Sequence, residues 1–261
     1  MVTRALAQSD GLAKALRTRG AEPILLPLIR IVPVVDYAPL DAALGRLRDG
    51  DWIFLTSQNA VPLVAQRGRR LREDFFGAAA AIQVAAVGAA TQRAARETDM
   101  PIHYVANSHD GVSLANELGE RLRGRKVLLP RSDVAGPELP DAIQQHGAEV
   151  MDVHAYRTEP CREHDGELQA RVLRREVDAI VCFSPSAVRS LERVFCTARL
   201  AEVQNSVAFA AIGKVTEWAC RHAGLREPLM AEDASVEAVV AVLQDYFAGR
   251  VPGHFAGAKK V

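Results

Sequence analysis

The amino-acid sequence predicts an α/β protein built from two similar units, each a mostly parallel sheet covered by helices. Short apolar runs alternate with amphipathic stretches along the chain, which is the order expected of parallel strands joined by helices. The sequence also repeats itself. Residues 53–61 reappear as residues 180–188 and residues 85–91 as residues 210–216, at offsets of 127 (180 − 53) and 125 (210 − 85). A repeat of this length is that of a domain rather than of a solenoid.

The elements of the first copy follow from the apolar periodicity and from the residues that end each run. In the first helix Leu12, Ala15 and Leu16 share one face, and Gly20 follows as a stop signal. The predicted elements are a helix over 9–19, strands over 24–31 and 51–55 separated by a helix over 40–47, a helix from residue 59, a strand over 84–87, a helix after residue 88, an extended segment over 103–105 and a helix over 111–122.

The second copy follows the same order. Its predicted elements are strands over 126–129, 149–156, 178–183 and 207–212 and helices over 137–145, 186–194, 216–222 and 235–247. The start of the chain departs from the repeat, because only Met1 and Val2 precede Thr3 where the second copy has a full strand. Either the start of the sequence is trimmed or the first strand is very short.

Three segments lie outside the alternation of strands and helices. Residues 31–36 and 153–158 are extended and are predicted to connect two lobes. If residues 153–158 form a strand, His154 and Tyr156 share one of its faces. Residues 251–261 contain Gly, Pro and a Lys-Lys pair without periodicity, and we expect them to be disordered.

Composition and charge narrow the class of function. The chain has 261 residues, of which 49% are hydrophobic and 25% charged, and its 32 basic and 32 acidic residues give no net charge. A nucleic-acid partner is not expected, since such proteins usually carry a basic surplus. The sequence has no long apolar segment and no pattern of a signal peptide, so we expect neither a membrane partner nor secretion. The spacing of its four cysteines predicts no metal site, and a reduced, cytoplasmic setting is expected.

The turns between strands and helices are the candidate ligand sites. In an α/β sheet ligands bind at the carboxyl ends of the strands, where free backbone N–H groups at helix starts attract carboxylates or phosphates. The candidate binding residues in these turns are Thr56, Ser57, Gln58, Asn59, Gly88, Thr91, Ser184, Pro185, Ser186, Gly213 and Thr216. The alternative is that they only cap helices and form tight turns. Neither a dinucleotide-binding glycine motif nor a phosphate-binding loop is present, so no nucleotide cofactor is predicted.

Three cations and one tyrosine complete the candidate set. Arg4, Arg131 and Lys214 lie at the ends of predicted strands, where they could meet an acidic substrate or remain solvated surface charges. Tyr156 lies in a predicted connector, where its phenol could donate a proton or a hydrogen bond. The alternative for Tyr156 is an aromatic wedge in a hinge.

Taken in order, these motifs resemble those of the uroporphyrinogen-III synthase family. The matching segments are residues 2–4, 27–29, 54–61, 86–91, 127–131, 156–158, 183–188 and 211–216. No single segment is specific, but the ordered set covers the chain to about residue 247. Ala5 departs from the family, which usually has proline at that position.

The resemblance implies two flavodoxin-like lobes joined by a two-stranded connector, with a cleft between them. Its implied boundaries are residues 1–33 with 160–250 for lobe 1, residues 37–153 for lobe 2, and residues 34–36 with 154–159 for the connectors. The implied reaction closes linear hydroxymethylbilane, which carries eight carboxylates, to uroporphyrinogen III with inversion of ring D and loss of water, as a step of tetrapyrrole (haem) biosynthesis. This chemistry implies no cofactor and no metal. It makes Tyr156 the candidate weak acid, and the remaining candidates bind substrate.

The resemblance also implies a monomer that receives its substrate from hydroxymethylbilane synthase. Two other classes of protein are compatible with parts of the sequence pattern. The first is a two-lobed protein that binds an anionic ligand, or regulates in response to it, without catalysis, since fold alone does not decide chemistry. The second is a nucleotide-linked α/β enzyme, which the missing phosphate loops disfavour.

Overall fold

The computed structural model describes residues 1–3, 9–77, 81–107, 110–233 and 235–250. Two of the sequence predictions, a binding role for Arg4 and disorder of residues 251–261, lie outside the described residues. The chain divides into two compact units. One, here the terminal unit, takes in Met1–Arg30 and Glu159–Val261, and the other, here the middle unit, takes in Ile31–Thr158.

Strands and helices alternate along most of the described chain, which confirms the predicted α/β class. The strands are β1 (Ile29–Pro33), β2 (Trp52–Leu55), β3 (Gln83–Ala86), β4 (Tyr104–Val105), β5 (Lys126–Ser132), β6 (Glu149–Pro160), β7 (Ala179–Cys182), β8 (Ala208–Ala211) and β9 (Leu229–Met230). The α-helices are α1 (Asp10–Thr18), α2 (Ala38–Arg46), α3 (Ala60–Leu71), α4 (Gly88–Glu97), α5 (Gly111–Leu118), α6 (Glu138–Gln145), α7 (Asp165–Leu173), α8 (Pro185–Val203), α9 (Lys214–His222) and α10 (Val236–Phe247). A 3₁₀ turn, Gly119–Leu122, follows α5. None of the described helices is long and apolar enough to cross a bilayer.

The sheet of the middle unit has six strands in the order β1-β6-β5-β2-β3-β4. The pairs from β6 to β4 are all parallel. The chain runs outward from β2 through β3 to β4 and then returns to place β5 on the other side of β2. The carboxyl ends of β2 and β5 are therefore neighbours at the point where the winding reverses, which is the usual ligand position in open α/β sheets.

The strands of the middle unit are apolar on both faces because helices cover both. Along β2, Ile53 and Leu55 belong to one buried cluster with Val84 and Leu128. Trp52 and Phe54 alternate with them and belong to a second cluster on the opposite face. A strand buried on both sides reads as a continuous apolar run, which is why residues 51–55 were recognisable in the sequence.

The sheet of the terminal unit contains β7, β8 and β9 in parallel. Val2 extends it, with parallel bridges to Val181 of β7 on one side and to Leu25 on the other. The expected short first strand is thus a single bridging residue, and it is fully buried. Thr3 adds a second contact with β7, because its hydroxyl donates to the carbonyl of Val181 at 2.7 Å. The order Leu25, Val2, β7, β8, β9 repeats the order β6-β5-β2-β3-β4 of the middle unit.

Strand β6 contains an irregularity that turns Tyr156. Its register against β5 pairs His154 with Arg131 and then Tyr156 with Ser132, so that Ala155 is an extra residue. An extra residue reverses the side on which the following side chains emerge. His154 is accordingly exposed, whereas Tyr156 is buried with Ala155. The expectation that His154 and Tyr156 share a face is wrong for this reason.

Other boundaries also differ from those predicted. Residues 24–31 do not form one strand, since Leu25 makes only a bridge and β1 begins at Ile29. Residues 153–158 are not a separate segment, because they belong to β6, which continues without interruption to Pro160. Helix α8 extends to Val203, across a kink at Cys196.

Candidate functional site

The strongest candidate site lies at the carboxyl ends of β2 and β5 in the middle unit. Residues 56–59 follow β2 and are partly exposed, and α3 begins directly after them at Ala60. The Ser57 hydroxyl accepts a hydrogen bond from the backbone N–H of Asn59 at 3.2 Å, which shapes the turn. The turn therefore presents polar groups and the start of a helix at the point where the sheet reverses its winding.

Tyr156 lies against this turn. Its side chain is only 6% exposed, and its hydroxyl is hydrogen-bonded with the side chains of Ser57 and Asn59. Burial raises the pKa of the phenol above its ordinary value, the hydrogen bonds with Ser57 and Asn59 lower it, and the nearby charge of Asp133 raises it again. Burial is the largest of these effects, so Tyr156 remains a protonated phenol at neutral pH.

A group of polar residues at the end of β5 supports Tyr156, and the sequence reasoning missed it. Asp133 donates its backbone N–H to the carbonyl of Tyr156 at 3.2 Å, and its carboxylate accepts from the backbone N–H of Thr158 at 2.9 Å. The hydroxyls of Ser132 and Thr158 lie 2.8 Å apart. These bonds fix the backbone on both sides of Tyr156. The available signal was the position of Ser132 and Asp133 directly after Arg131 at a strand end.

The guanidinium of Arg131 is hydrogen-bonded to other residues of the middle unit. Its Nε donates to a carboxylate oxygen of Asp152 at 2.6 Å, and its two terminal nitrogens donate to the second oxygen of Asp152 and to the carbonyl of Gly136. The side chain is 10% exposed. In this arrangement Arg131 joins β5, β6 and the following turn, and its guanidinium is not directed at solvent.

The turn from β3 to α4 provides open space above a helix start. Gly88 has a φ of +77°, which favours glycine, and an added Cβ would have no protein atom within 4 Å. Thr91, one turn into α4, is only 3% exposed. A ligand could therefore approach the backbone at Gly88, whereas the Thr91 side chain lies under the turn.

The turn from β7 to α8 belongs to the terminal unit. Ser184 caps α8, and its hydroxyl accepts from the backbone N–H of Ala187 at 3.3 Å. Pro185 occupies the first turn of the helix, where its missing N–H removes no helical bond. Ser186 is partly exposed, and its hydroxyl accepts from Arg189 at 3.3 Å.

The turn from β8 to α9 in the terminal unit corresponds to the Gly88 turn in the sequence repeat, although the two glycines differ in backbone conformation. Gly213 is extended, with a φ of 174°, and an added Cβ would again meet no atom within 4 Å. Lys214 is exposed at the first position of α9, and Thr216 is 4% exposed. The matched pairs of the two copies thus have matched environments, with an open glycine and a buried threonine in each.

Among the described residues one group of side chains could hold a metal ion, although no metal site was predicted. The Sγ of Cys161, a carboxylate oxygen of Glu163 and a ring nitrogen of His164 all lie within 4.8 Å of one another. The signal for this group is the spacing Cys-x-x-His, with a glutamate directly before the histidine. These residues lie in the terminal unit and are separate from the candidates discussed above.

The chain is similar to known proteins over most of its length. The family model described as Uroporphyrinogen-III synthase HemD matches residues 10–241. A protein named uroporphyrinogen-III synthase from Synechococcus elongatus is 28% identical over 255 residues, covering 94% of each chain. A chloroplastic uroporphyrinogen-III synthase from Oryza sativa is 28% identical over 234 residues, covering 87% of this chain and 73% of the relative. The structure of a mutant uroporphyrinogen III synthase from Thermus thermophilus matches with a TM-score of 0.67 and 26% identity, covering 94% of this chain and 96% of that one.

Proposed function

Because the chain belongs to the uroporphyrinogen-III synthase family, we propose that it carries out that family's reaction with Tyr156 as its proton donor. The substrate is hydroxymethylbilane, and the products are uroporphyrinogen III and water. The observation that carries the assignment of Tyr156 is the position of its hydroxyl, which is hydrogen-bonded with Ser57 and Asn59 in the partly exposed turn at the winding reversal of the sheet, although the ring itself is buried.

The protonation state of Tyr156 suits the first step of this reaction. The departing hydroxyl of the substrate needs a proton, and the phenol is protonated at neutral pH. The raised pKa makes Tyr156 a weak acid, which suffices because the substrate ionises readily. Transfer of the phenolic proton releases water and leaves a cation next to ring A. Closure on the substituted carbon of ring D and rearrangement release a proton, which returns to the phenolate. The net change is the loss of one water.

Ser57 and Asn59 are the positioning residues of this proposal. Hydrogen bonds with their side chains fix the direction of the phenol. Asp133 and Thr158 fix the backbone that carries Tyr156. Because the substrate ionises readily, most of the rate and all of the isomer selection come from holding ring D in place rather than from the acid.

The helix starts are proposed to bind the eight carboxylates of the substrate. Open backbone at Gly88 and Gly213 supports this role, because nothing in the surrounding protein blocks approach. Backbone N–H groups at helix starts bind anions without a balancing cation. The proposed binding residues of the middle unit are Thr56, Ser57, Gln58, Asn59 and Gly88, and those of the terminal unit are Ser184, Pro185, Ser186, Gly213 and Lys214.

Three other predicted binding residues are proposed to act indirectly. Thr91 and Thr216 are almost fully buried, which favours support of the first turns of α4 and α9 over direct contact with substrate. Arg131 is bound to Asp152 and to Gly136, and we propose that it keeps the end of β5 in place beside Asp133. A substrate carboxylate would have to displace Asp152 to reach it.

The proposal extends to the organisation of the protein and its setting. The two compact units are proposed to be the two lobes of the family fold, each with its own strand-end turns. We propose that the chain acts as a cytoplasmic monomer, and its free thiols suit a reducing compartment. Direct receipt of the substrate from hydroxymethylbilane synthase is favoured by chemistry, because free hydroxymethylbilane closes spontaneously to the type I isomer.

The decisive experiment is isomer selection. Hydroxymethylbilane is generated in the presence and absence of the purified protein, and the type I and type III products are separated by chromatography. We expect the protein to convert the product from type I to type III in proportion to its concentration. An isomer ratio equal to the spontaneous one, from folded protein in several buffers, would contradict the proposed function.

A further inference from the structure

The segment between β6 and α7 brings together three side chains that differ in donor chemistry. Cys161 follows Pro160 at the end of β6, and His164 directly precedes the first residue of α7. With Glu163 they offer one sulfur, one nitrogen and one oxygen atom, all within 4.8 Å of one another. We propose that Cys161, Glu163 and His164 form a binding site for a borderline transition-metal ion of the Zn²⁺ class.

The backbone around these residues is already fixed. The N–H of Cys161 donates to the carbonyl of Leu28, directly before β1, at 2.9 Å. The N–H of Asp165 donates to the carbonyl of Arg162 at 3.2 Å, and the carbonyl of His164 accepts from Leu168 at 2.8 Å. The ligands therefore need only side-chain rotation, and little backbone entropy is lost on binding.

The donor set determines the class of ion. Tetrahedral Zn²⁺ has bonds of about 2.0 to 2.3 Å, so its ligand atoms lie roughly 3.5 Å apart. The three ligand atoms lie within 4.8 Å of one another, so side-chain rotation has to bring them closer by about 1 Å at most. Mg²⁺ and Ca²⁺ prefer oxygen ligands only and would gain little from a thiolate or an imidazole. Three protein ligands leave the fourth position to water.

Burial and charge around the site agree with a bound cation. Cys161 is 7% exposed, whereas Glu163 is exposed and His164 partly so, which gives an ion an entry side and a sheltered thiolate. A cation at the start of α7 is opposed by the helix dipole. Asp165 and Glu167 in the first turn of that helix are already paired with Arg193 and Arg171, so they compensate little of this. The compensating charge comes instead from Glu163 and from the Cys161 sulfur, which loses its proton when it binds a metal. Glu167 also lies 3.9 Å from Nδ1 of His164.

Titration with Co²⁺ tests the site without using enzymatic activity. The protein is purified under reducing conditions, treated with a chelator and freed of it. Co²⁺ is expected to bind one equivalent and to give the near-ultraviolet charge-transfer band of a cobalt–thiolate bond, and Zn²⁺ is expected to remove that band. Excess Mg²⁺ should not compete.

Substitutions assign the band to its ligands. Cys161→Ser should abolish the charge-transfer band, and His164→Gln, at a partly exposed position, should weaken Co²⁺ binding by more than about 100-fold, since loss of an outer partner alone costs roughly 10- to 100-fold. Cys196→Ser removes the exposed thiol as a matched control and should leave the titration unchanged. Zn²⁺ should also raise the melting temperature of the unsubstituted chain but not that of His164→Gln.

Three results would overturn the proposal. They are a charge-transfer band that survives Cys161→Ser, a band that disappears in Cys196→Ser, and the absence of any band at excess Co²⁺ while circular dichroism shows the protein folded. Each result would show that Co²⁺ binds at other residues or does not bind at all. None bears on the proposed synthase reaction, which uses other residues.

Discussion

Replacing Tyr156 with phenylalanine removes one hydroxyl and keeps the buried ring. If the phenol donates the proton that releases water, turnover should fall by roughly 10- to 1000-fold, within and somewhat below the usual range for general acids. This corresponds to about 1.4 to 4 kcal/mol of transition-state stabilisation. The Michaelis constant should change little, because the proposed carboxylate contacts lie at the helix starts. Appreciable activity should remain, since the substrate already ionises readily.

The same substitution has a separate cost in stability. The hydroxyl is hydrogen-bonded with Ser57 and Asn59, and each hydrogen bond contributes about 0.5 to 1.5 kcal/mol. The free energy of unfolding of Tyr156→Phe should therefore fall by about 1 to 3 kcal/mol. Activity is accordingly measured well below the melting temperature, so that loss of turnover is not loss of folded protein.

Tyr104→Phe is the matched control for this experiment. Tyr104 is also in the middle unit, and its hydroxyl donates to Glu117 of α5 at 3.0 Å. The Tyr104→Phe variant should lose stability but keep its turnover. The coupled hydroxymethylbilane assay gives turnover, Michaelis constant and the share of type III product for each variant. Two results would refute the assignment of Tyr156 as the acid. The first is that Tyr156→Phe keeps the turnover and isomer purity of the unsubstituted chain. The second is that Tyr104→Phe loses as much turnover as Tyr156→Phe.

An open glycine, an ion pair and the independence from metal give the remaining tests. Gly213→Ala should raise the Michaelis constant without lowering the melting temperature, because the backbone of Gly213 is extended and the added methyl group meets no protein atom. The control is Gly166→Ala, at an equally open position, which should change neither turnover nor the Michaelis constant. An unchanged Michaelis constant in Gly213→Ala would contradict the proposed contact with substrate. Hydrogen bonding to Arg67 holds the pKa of Asp41 below its ordinary value of 3.8. The stabilisation from this ion pair is therefore complete above pH 3.8 and is lost as the pH falls through the lower pKa of the folded state. In urea unfolding, the free energy of unfolding of Asp41→Asn should fall less steeply with pH below about pH 4 than that of the unsubstituted chain. Equal slopes of this free energy against pH would contradict the assignment. Exhaustive chelation should leave turnover unchanged, and recovery of lost activity by an added metal would contradict the proposed chemistry.

Much of the fold was open to prediction because its signals are local. A strand buried on both faces is a short apolar run, as in residues 51–55, and a helix start is marked by residues such as Ser184 and Ser235, which cap α8 and α10. The internal repeat then placed the turns of both copies. Boundaries that depend on distant partners were missed, such as the bridge formed by Leu25 and the continuation of β6 to Pro160.

The candidate site also combines features that the sequence predicts with features that only the tertiary structure shows. The sequence alone determined the α/β class, the repeat and the polar turns at the strand ends, because each depends on neighbouring residues. Only the tertiary structure decided that Tyr156 meets Ser57 and Asn59, that Asp152 occupies Arg131, and that an extra residue in β6 turns Tyr156 away from the exposed side of His154. These depend on strand pairing between residues far apart in the chain, where a register change of one residue reverses the direction of a side chain.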